Sequence, residues 1–263
     1  MTLIIQKPTG AKLNLRKGWQ PMDSDAAAYI TAVETADGQA LEEKTKIAID
    51  NFVLGCKADG IWNAIKASCI LAGARTLTGA LVPLVGAAPT NFNFVSGDYN
   101  RKTGLVGNGS TKYLDSGRLG NADPENNFHG AAYASTAPLG GIFMGSGGGG
   151  AQTVQFGSRA DLIRCQSNVT SSTLTALPGF IAVNRSQSSF FLRRVNTVTE
   201  TLSVAFVGRS SSNILLFARG TPSAPDTLSD ARLAFYSIGE SLDLALLDAR
   251  VTTLINAFGA VIP

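Results

Sequence analysis

Apolar positions along this chain change their spacing from one region to the next. Residues 23–37, DSDAAAYITAVETAD, form a small-residue stretch that favours helix, with Ser24 placed to cap it and Gly38 to stop it. From Ala40 to Asp59, Leu41, Thr45, Ala48, Ile49, Phe52, Val53 and Cys56 follow the i, i+3, i+4 rhythm of an amphipathic helix. Gly60 breaks that rhythm, and Ile61, Trp62, Ile65 and Cys69 predict a third, shorter helix; Phe52 and Trp62 are expected to be buried where the helical segment meets the sandwich. Such a helical segment buries little by itself, so it is expected to pack on one end of the domain formed by the later residues.

After a Pro-, Gly- and Asn-rich transition over residues 80–100 the period changes. Short apolar runs separated by turn residues predict strands at 103–106, 111–115, 128–135, 141–144, 153–156, 161–165, 179–183, 189–195, 201–206, 213–218 and 231–236. Within Gly104–Gly117, GLVGNGSTKYLDSG, Leu105-Val106 and Thr111 to Leu114 read as a hairpin joined by a Gly-Asn-Gly turn, because glycine and asparagine tolerate the positive φ that tight turns demand. So many short strands exceed one comfortable sheet and predict a mainly β fold: an antiparallel two-sheet jelly-roll sandwich. Asp243 then caps a helix with Leu244, Leu247, Val251, Leu254, Ile255 and Phe258 on one face, ended by Gly259.

The chain therefore divides into an extended arm (1–22), a helical segment (23–80), a sandwich (81–240) and a C-terminal helix packed on it (241–263). In the arm, Leu3, Ile4, Ile5, Leu13 and Leu15 cluster or alternate as in strand edges, among Lys7, Lys12, Arg16 and Lys17. Such a segment docks onto a neighbouring subunit, giving a homo-oligomer or an attachment to another protein, or folds back on its own sandwich.

The 263 residues, 44% hydrophobic and 16% charged, belong to the folded class, and a net charge of +3 does not argue for a nucleic-acid partner. Arginines 159, 164, 185, 193, 194, 209 and 219 face only Asp161 and Glu200 between Ile142 and Gly220, as an anion-facing surface or the solvated face of strands. Cys56, Cys69 and Cys165 are odd in number without CxxC spacing and read as buried free thiols. No apolar run is read as long enough for a membrane span, and Met1 to Gln20 lacks the order of a signal peptide.

Catalytic chemistry has little to stand on. His129, the only histidine, lies in or beside a predicted strand, where packing is its expected role. Glu125 and Glu200 are isolated, without the paired carboxylates that glycoside hydrolysis needs. GSGGGG at 145–150 has no lysine or helix after it and reads as an inter-strand loop, and Gly104 to Ser110 lacks a P-loop lysine. No cofactor is expected. The sequons at Asn108, Asn168 and Asn184 matter only in a secreted eukaryotic protein.

The order GLVGNGSTKYLDSG, NFHGAAYAS, GGIFMGSG, GFIAVNRS and ARLAFYSIGESLDLALLDARVTTL resembles concanavalin A-like or laminin-G-like jelly rolls over roughly residues 100–258. Together with MTLIIQKPTGAKLNL and GCKADGIWNAIKASCILAGARTL it resembles laminin-G-like virion proteins of tailed bacteriophages. That resemblance implies a non-enzymatic structural protein of the particle (capsid decoration, fibre or tail-associated), made in the host bacterial cytoplasm, attached through its arm, with other virion proteins as partners and no membrane. The alternative is a carbohydrate-binding host-recognition module of a tail fibre, with Tyr99 and Tyr113 as the aromatics that meet host surface sugar. Many laminin-G-like domains hold calcium in loops, for which Asp115, Asp123 and Asp161 are available here.

Overall fold

A computed structural model describes residues 23–136, 140–148, 151–157, 163–167 and 178–262; the docking-arm residues Leu3, Ile4, Ile5, Leu13 and Leu15 lie outside them. Helix α1 (Ser24–Asp37) is capped by Asp23, not Ser24: its carboxylate accepts from the amides of Asp25 and Ala26 at 2.8 and 3.3 Å. Gly38, at φ 64°, ends it as the sequence predicts. Helix α2 (Glu43–Ala58) buries Thr45, Ala48, Ile49, Phe52, Val53 and Cys56, the predicted stripe.

The predicted third helix is corrected. One 3-10 turn, Trp62–Ala64, leads directly into strand β1 (Ile65–Ile70). Ile61, Ile65 and Cys69 carry helical spacing only because β1 is buried on both faces: Ile65 and Ile70 join one core, Ala67 and Cys69 the other. Two-sided burial removes the alternation that marks a strand.

The remaining elements are α3 (Leu77–Ala80), β2 (Pro83–Val85), β3 (Thr90–Phe92), β4 (Tyr99–Asn100), β5 (Gly104–Val106), β6 (Tyr113–Leu119), β7 (Phe128–Thr136), β8 (Ile142–Gly148), β9 (Ala151–Gly157), β10 (Arg164–Cys165), β11 (Gly179–Arg185), β12 (Phe191–Val195), β13 (Val198–Leu202), β14 (Asn213–Leu216), β15 (Arg219–Gly220), β16 (Arg232–Gly239) and α4 (Leu244–Val261). Among the described residues they form two sheets, antiparallel except where β15 runs parallel to β8. The nine-stranded sheet runs β13-β12-β11-β7-β16-β1-β2, with β5 on β16 and β4 on β5; the seven-stranded sheet runs β10-β9-β8-β14-β6-β3, with β15 on β8. The fold is the predicted mainly β sandwich, with helices at both ends of the sequence.

Three layers result. Helices α1, α2 and α4 cover the outer face of the larger sheet, where Phe52 meets Phe235 edge-on at 5.7 Å between ring centroids. The inner face of that sheet packs on the second sheet through Phe128, Phe143, Phe156, Phe191 and Tyr236. Strand β11 divides its side chains accordingly: Phe180 and Ala182 face the helices, Ile181 and Val183 the other sheet. Of the two residues predicted to be buried where the helical segment meets the sandwich, Phe52 is buried there, whereas Trp62 is half-buried and lies under the Lys57 ammonium at 5.6 Å. Helix α4 runs through Gly259 instead of ending there. Over 18 residues it has mean hydropathy 1.4, so one segment does reach membrane-spanning length and composition. Here Leu247, Val251, Leu254 and Phe258 lie in the core it shares with the larger sheet.

The predicted first hairpin is a corner between sheets, because β5 pairs with β16 while β6 pairs with β14 and β3. Asn108 holds the corner: its Oδ1 accepts from the amides of Ser110, Thr111 and Lys112, and Gly109 takes φ 69°. GSGG at 145–148 is strand, not loop, because Arg219 crosses over it; a Cβ on Gly145 would lie 3.0 Å from the Arg219 Cα. Gly149 and Gly150 lie outside the described residues. The strand predicted at 201–206 sits earlier, as β13.

Arg185 is fully buried. Its guanidinium donates to the carbonyls of Cys165 (2.9 Å), Gln187 (3.1 Å), Ser188 (3.3 Å), Phe190 (3.1 Å) and Val204 (2.9 Å) and lies 5.3 Å over the Phe191 ring. A cation here does what a bound ion does elsewhere, gathering carbonyl dipoles from separate segments.

Candidate functional site

The outer face of the smaller sheet carries a cleft of about 520 Å³ between its β3 edge and the loop after β15. Strand β3 stops after Phe92 because the Asn91 side chain closes on Phe94, accepting from its amide and donating to its carbonyl at 3.0 Å, while Asn93 takes φ 68°. Phe94 turns into the core, 5.0 Å from Phe217, and Phe92 stays 36% exposed. In register opposite Phe92 is Tyr113, and the two rings stack at 4.3 Å with 11° between planes. Burial, and then the Asp115 carboxylate, raise the Tyr113 hydroxyl above its usual pKa.

Asp115 lies two residues along β6 on the same face, paired in register with Thr90 and Leu215. The Asn213 amide donates to its Oδ2 at 2.8 Å and the Gly117 amide to its Oδ1 at 2.8 Å. The opposite wall, Gly220–Pro225, is held shut at its base. Arg219 and Asp226 exchange both backbone hydrogen bonds (2.9 and 3.0 Å), and the guanidinium binds the Asp226 carboxylate. The Thr221 hydroxyl accepts from the amides of Ser223 and Ala224, and Pro222 and Pro225 fix their own φ. A stacked aromatic pair, an oriented carboxylate–amide pair and a rigid wall can hold a ligand with one apolar face and several hydroxyls.

Of the two predicted sugar-facing aromatics, only Tyr113 lines this cleft. Tyr99 is corrected: it is partly buried against both cores, and its hydroxyl donates to the Ala74 carbonyl at 2.8 Å. Phe92, Asp115 and Asn213 were not predicted as its companions. The two-residue period of the strand could have found Asp115, and only register could have found Phe92 and Asn213, since β3 and β14 are distant from β6 in sequence.

His129 is fully buried. A carbonyl can only accept, so Nδ1 donates to Glu240 O (2.6 Å) and Nε2 accepts from the Ser237 hydroxyl (2.8 Å). Burial holds its pKa down at about 4. The three cysteines are buried and free, and burial pushes the Cys56 and Cys165 thiols up to about 12. The residues at hand do not fit a calcium site. Among the described residues no three carboxylate, histidine or cysteine groups converge, Asp123 is ion-paired with Arg118, and Asp161 lies outside the described residues. Several sandwich arginines bind carboxylates: Arg194 binds Asp248 at 2.8 Å, Arg219 binds Asp226, and Arg193 binds Glu200. A larger groove of about 840 Å³ lies between α4 and the larger sheet, where the Arg194–Asp248 pair is already neutralised.

No family model and no curated protein matches the chain. Among solved structures it is similar to a mutant of Trypanosoma rangeli sialidase displaying trans-sialidase activity, with 9% identity and a TM-score of 0.43, over 79% of this chain and 39% of that one. It is also similar to domain 4 of AbnA, a GH43 extracellular arabinanase from Geobacillus stearothermophilus, in complex with arabinotriose, with 11% identity and a TM-score of 0.32, over 62% of this chain and 82% of that one. A third likeness is to Trypanosoma rangeli sialidase in complex with 2,3-difluorosialic acid, with 13% identity and a TM-score of 0.33, over 80% of this chain and 39% of that one. The chain thus spans 39% of the length of the sialidases.

Proposed function

We propose that this chain is a non-enzymatic structural component of a tailed-bacteriophage particle, attached through residues 1–22 to other virion proteins or to further copies of itself. The ordered laminin-G-like motifs motivate the reading, and the layering carries it. Asp23, where the arm joins the described chain, caps the first helix of the layer that covers one sheet, while the second sheet turns its cleft the other way. An anchor on one side and a presented face on the other suits a particle surface. Its non-enzymatic character is supported by the engagement of the polar groups: His129 uses both ring nitrogens internally, and Asp123, Asp226 and Asp248 sit in ion pairs. Immunogold labelling of purified particles tests the assignment, and a form lacking residues 1–22 is expected to melt normally yet fail to join the particle. Absence of label from intact particles would sink the reading.

The second reading, a carbohydrate-binding host-recognition module, is favoured by the Phe92–Tyr113 stack beside Asp115 and Asn213. Binding of host surface polysaccharide, lost on Tyr113→Ala without release of reducing ends, is the outcome it expects.

A further inference from the structure

Resting on that second reading, we propose that the cleft selects uncharged saccharide chains and turns away acidic ones. Of the side chains that line it, Phe92, Tyr113, Asp115, Asn213, Leu215 and the serines and prolines around them, Asp115 is the one acidic or basic residue among the described residues. The cation at the base of the wall is committed: Arg219 is bound by Asp226 through two nitrogens, at 2.8 and 2.5 Å. A uronic or sialic acid would bring its carboxylate into a cleft that holds Asp115 and, among the described residues that line it, no guanidinium or ammonium. Like charges meeting in a partly desolvated cleft repel, and such built-in repulsion discriminates against the wrong partner.

Neutral sugars meet the opposite situation. Each Asp115 oxygen already accepts one N–H, from Gly117 or from Asn213, which fixes its orientation and leaves lone pairs for sugar hydroxyls. Phe92 and Tyr113 shield one face of each ring from water by stacking on each other, so the platform is formed before the sugar arrives. The clipped loop from Arg219 to Asp226 adds a wall that loses little freedom on binding.

The test is titration calorimetry of the full chain with cellohexaose, mannohexaose and hexagalacturonate, which match in length and differ in charge. At least one neutral hexamer is expected to bind, with hexagalacturonate at least about tenfold weaker. Phe92→Ala, at an exposed edge where folding is not at stake, is expected to weaken the neutral ligand about tenfold. Asp115→Asn is expected to narrow the gap between neutral and acidic ligands. Hexagalacturonate binding as tightly as the neutral hexamers overturns charge selection and leaves a glycan site standing. Neutral binding untouched by Phe92→Ala places the sugar elsewhere and overturns the assignment to this cleft. No binding of any hexamer by protein with an intact melting transition removes the glycan reading, and this inference with it.

Discussion

The two faces of the larger sheet are buried by different means. Toward the helices the core is built from Ile30, Val33, Phe52, Val53, Leu247, Val251 and Phe258, with ion pairs at its rim such as Arg101–Glu42 at 2.7 Å and Arg250–Asp59 at 2.7 Å. Toward the second sheet the core is richer in aromatics, and Arg185, buried beside it, directs each of its three guanidinium nitrogens at a backbone carbonyl. Ion pairs at a solvated rim contribute little, whereas a buried polar group left without its partner costs a great deal. The helix-covered face should therefore respond mainly to lost volume, and the inter-sheet side to lost hydrogen bonds.

The largest expected effect is on the inter-sheet side. Arg185→Ala strands the carbonyls of Cys165, Gln187, Ser188, Phe190 and Val204 and should cost about 4 to 5 kcal/mol in urea melts, with no rescue by lysine, whose ammonium cannot span the fork. A loss under about 1 kcal/mol would erase the contrast between the faces. Next, Phe52→Ala should cost about 3 to 4 kcal/mol by opening a cavity against Phe235, and half-buried Trp62→Ala only about 1 to 2. Equal costs for those two would show that Trp62 is more deeply seated than its exposure implies.

Acid acts on the helix-covered face, where His129 shares a strand face with Ala131 and Tyr133. The folded pKa of His129, about 4, lies below the value of about 6.5 for an unfolded histidine, so the unfolded chain takes up the proton first. Its contribution is complete above about pH 6.5 and is lost as pH falls toward 4, by about 3 kcal/mol at most. His129→Asn should flatten the pH dependence of the melting temperature in that window; an unchanged slope would assign the effect to other groups. The smallest effect belongs to the helix rim. The Arg101 guanidinium holds the Glu42 carboxyl down at about 2, so this pair stabilises above the ordinary glutamate value and fades as pH falls through about 2. Glu42→Gln should cost about 1 kcal/mol at pH 7, after screening of a partly exposed pair, and nothing near pH 1.

Helices with one exposed face were legible in the sequence because their polar residues reveal the period. Asp243 and the stripe from Leu244 to Phe258 place α4 correctly, and Gly259 misled because a helix tolerates glycine at modest cost. Strand β1 was illegible for the opposite reason: with both faces buried, IKASCI shows no alternation, and its i, i+4 apolar residues imitate a helix. The corner at Asn108 carries the local chemistry of a hairpin, and only long-range pairing decides that its arms belong to different sheets. Tyr113 could be singled out as an aromatic near a glycine-rich turn, while the partner that makes it a platform, Phe92, is 21 positions earlier and reaches it through register alone.

Strand β16 lies between β7 and β1 and pairs with both along most of its length. During synthesis on the ribosome, residues up to 231 can be complete while the larger sheet remains in two halves, with the edges of β1 and β7 open. The central sheet closes only when Arg232–Gly239 emerges, and α4 then covers it. Such late closure asks the nascent chain to keep two strand edges from pairing with those of neighbouring chains, which places the aggregation risk before release rather than after it. A ribosome that stalls anywhere before β16 would yield no smaller stable protein, only a substrate for chaperones and proteases.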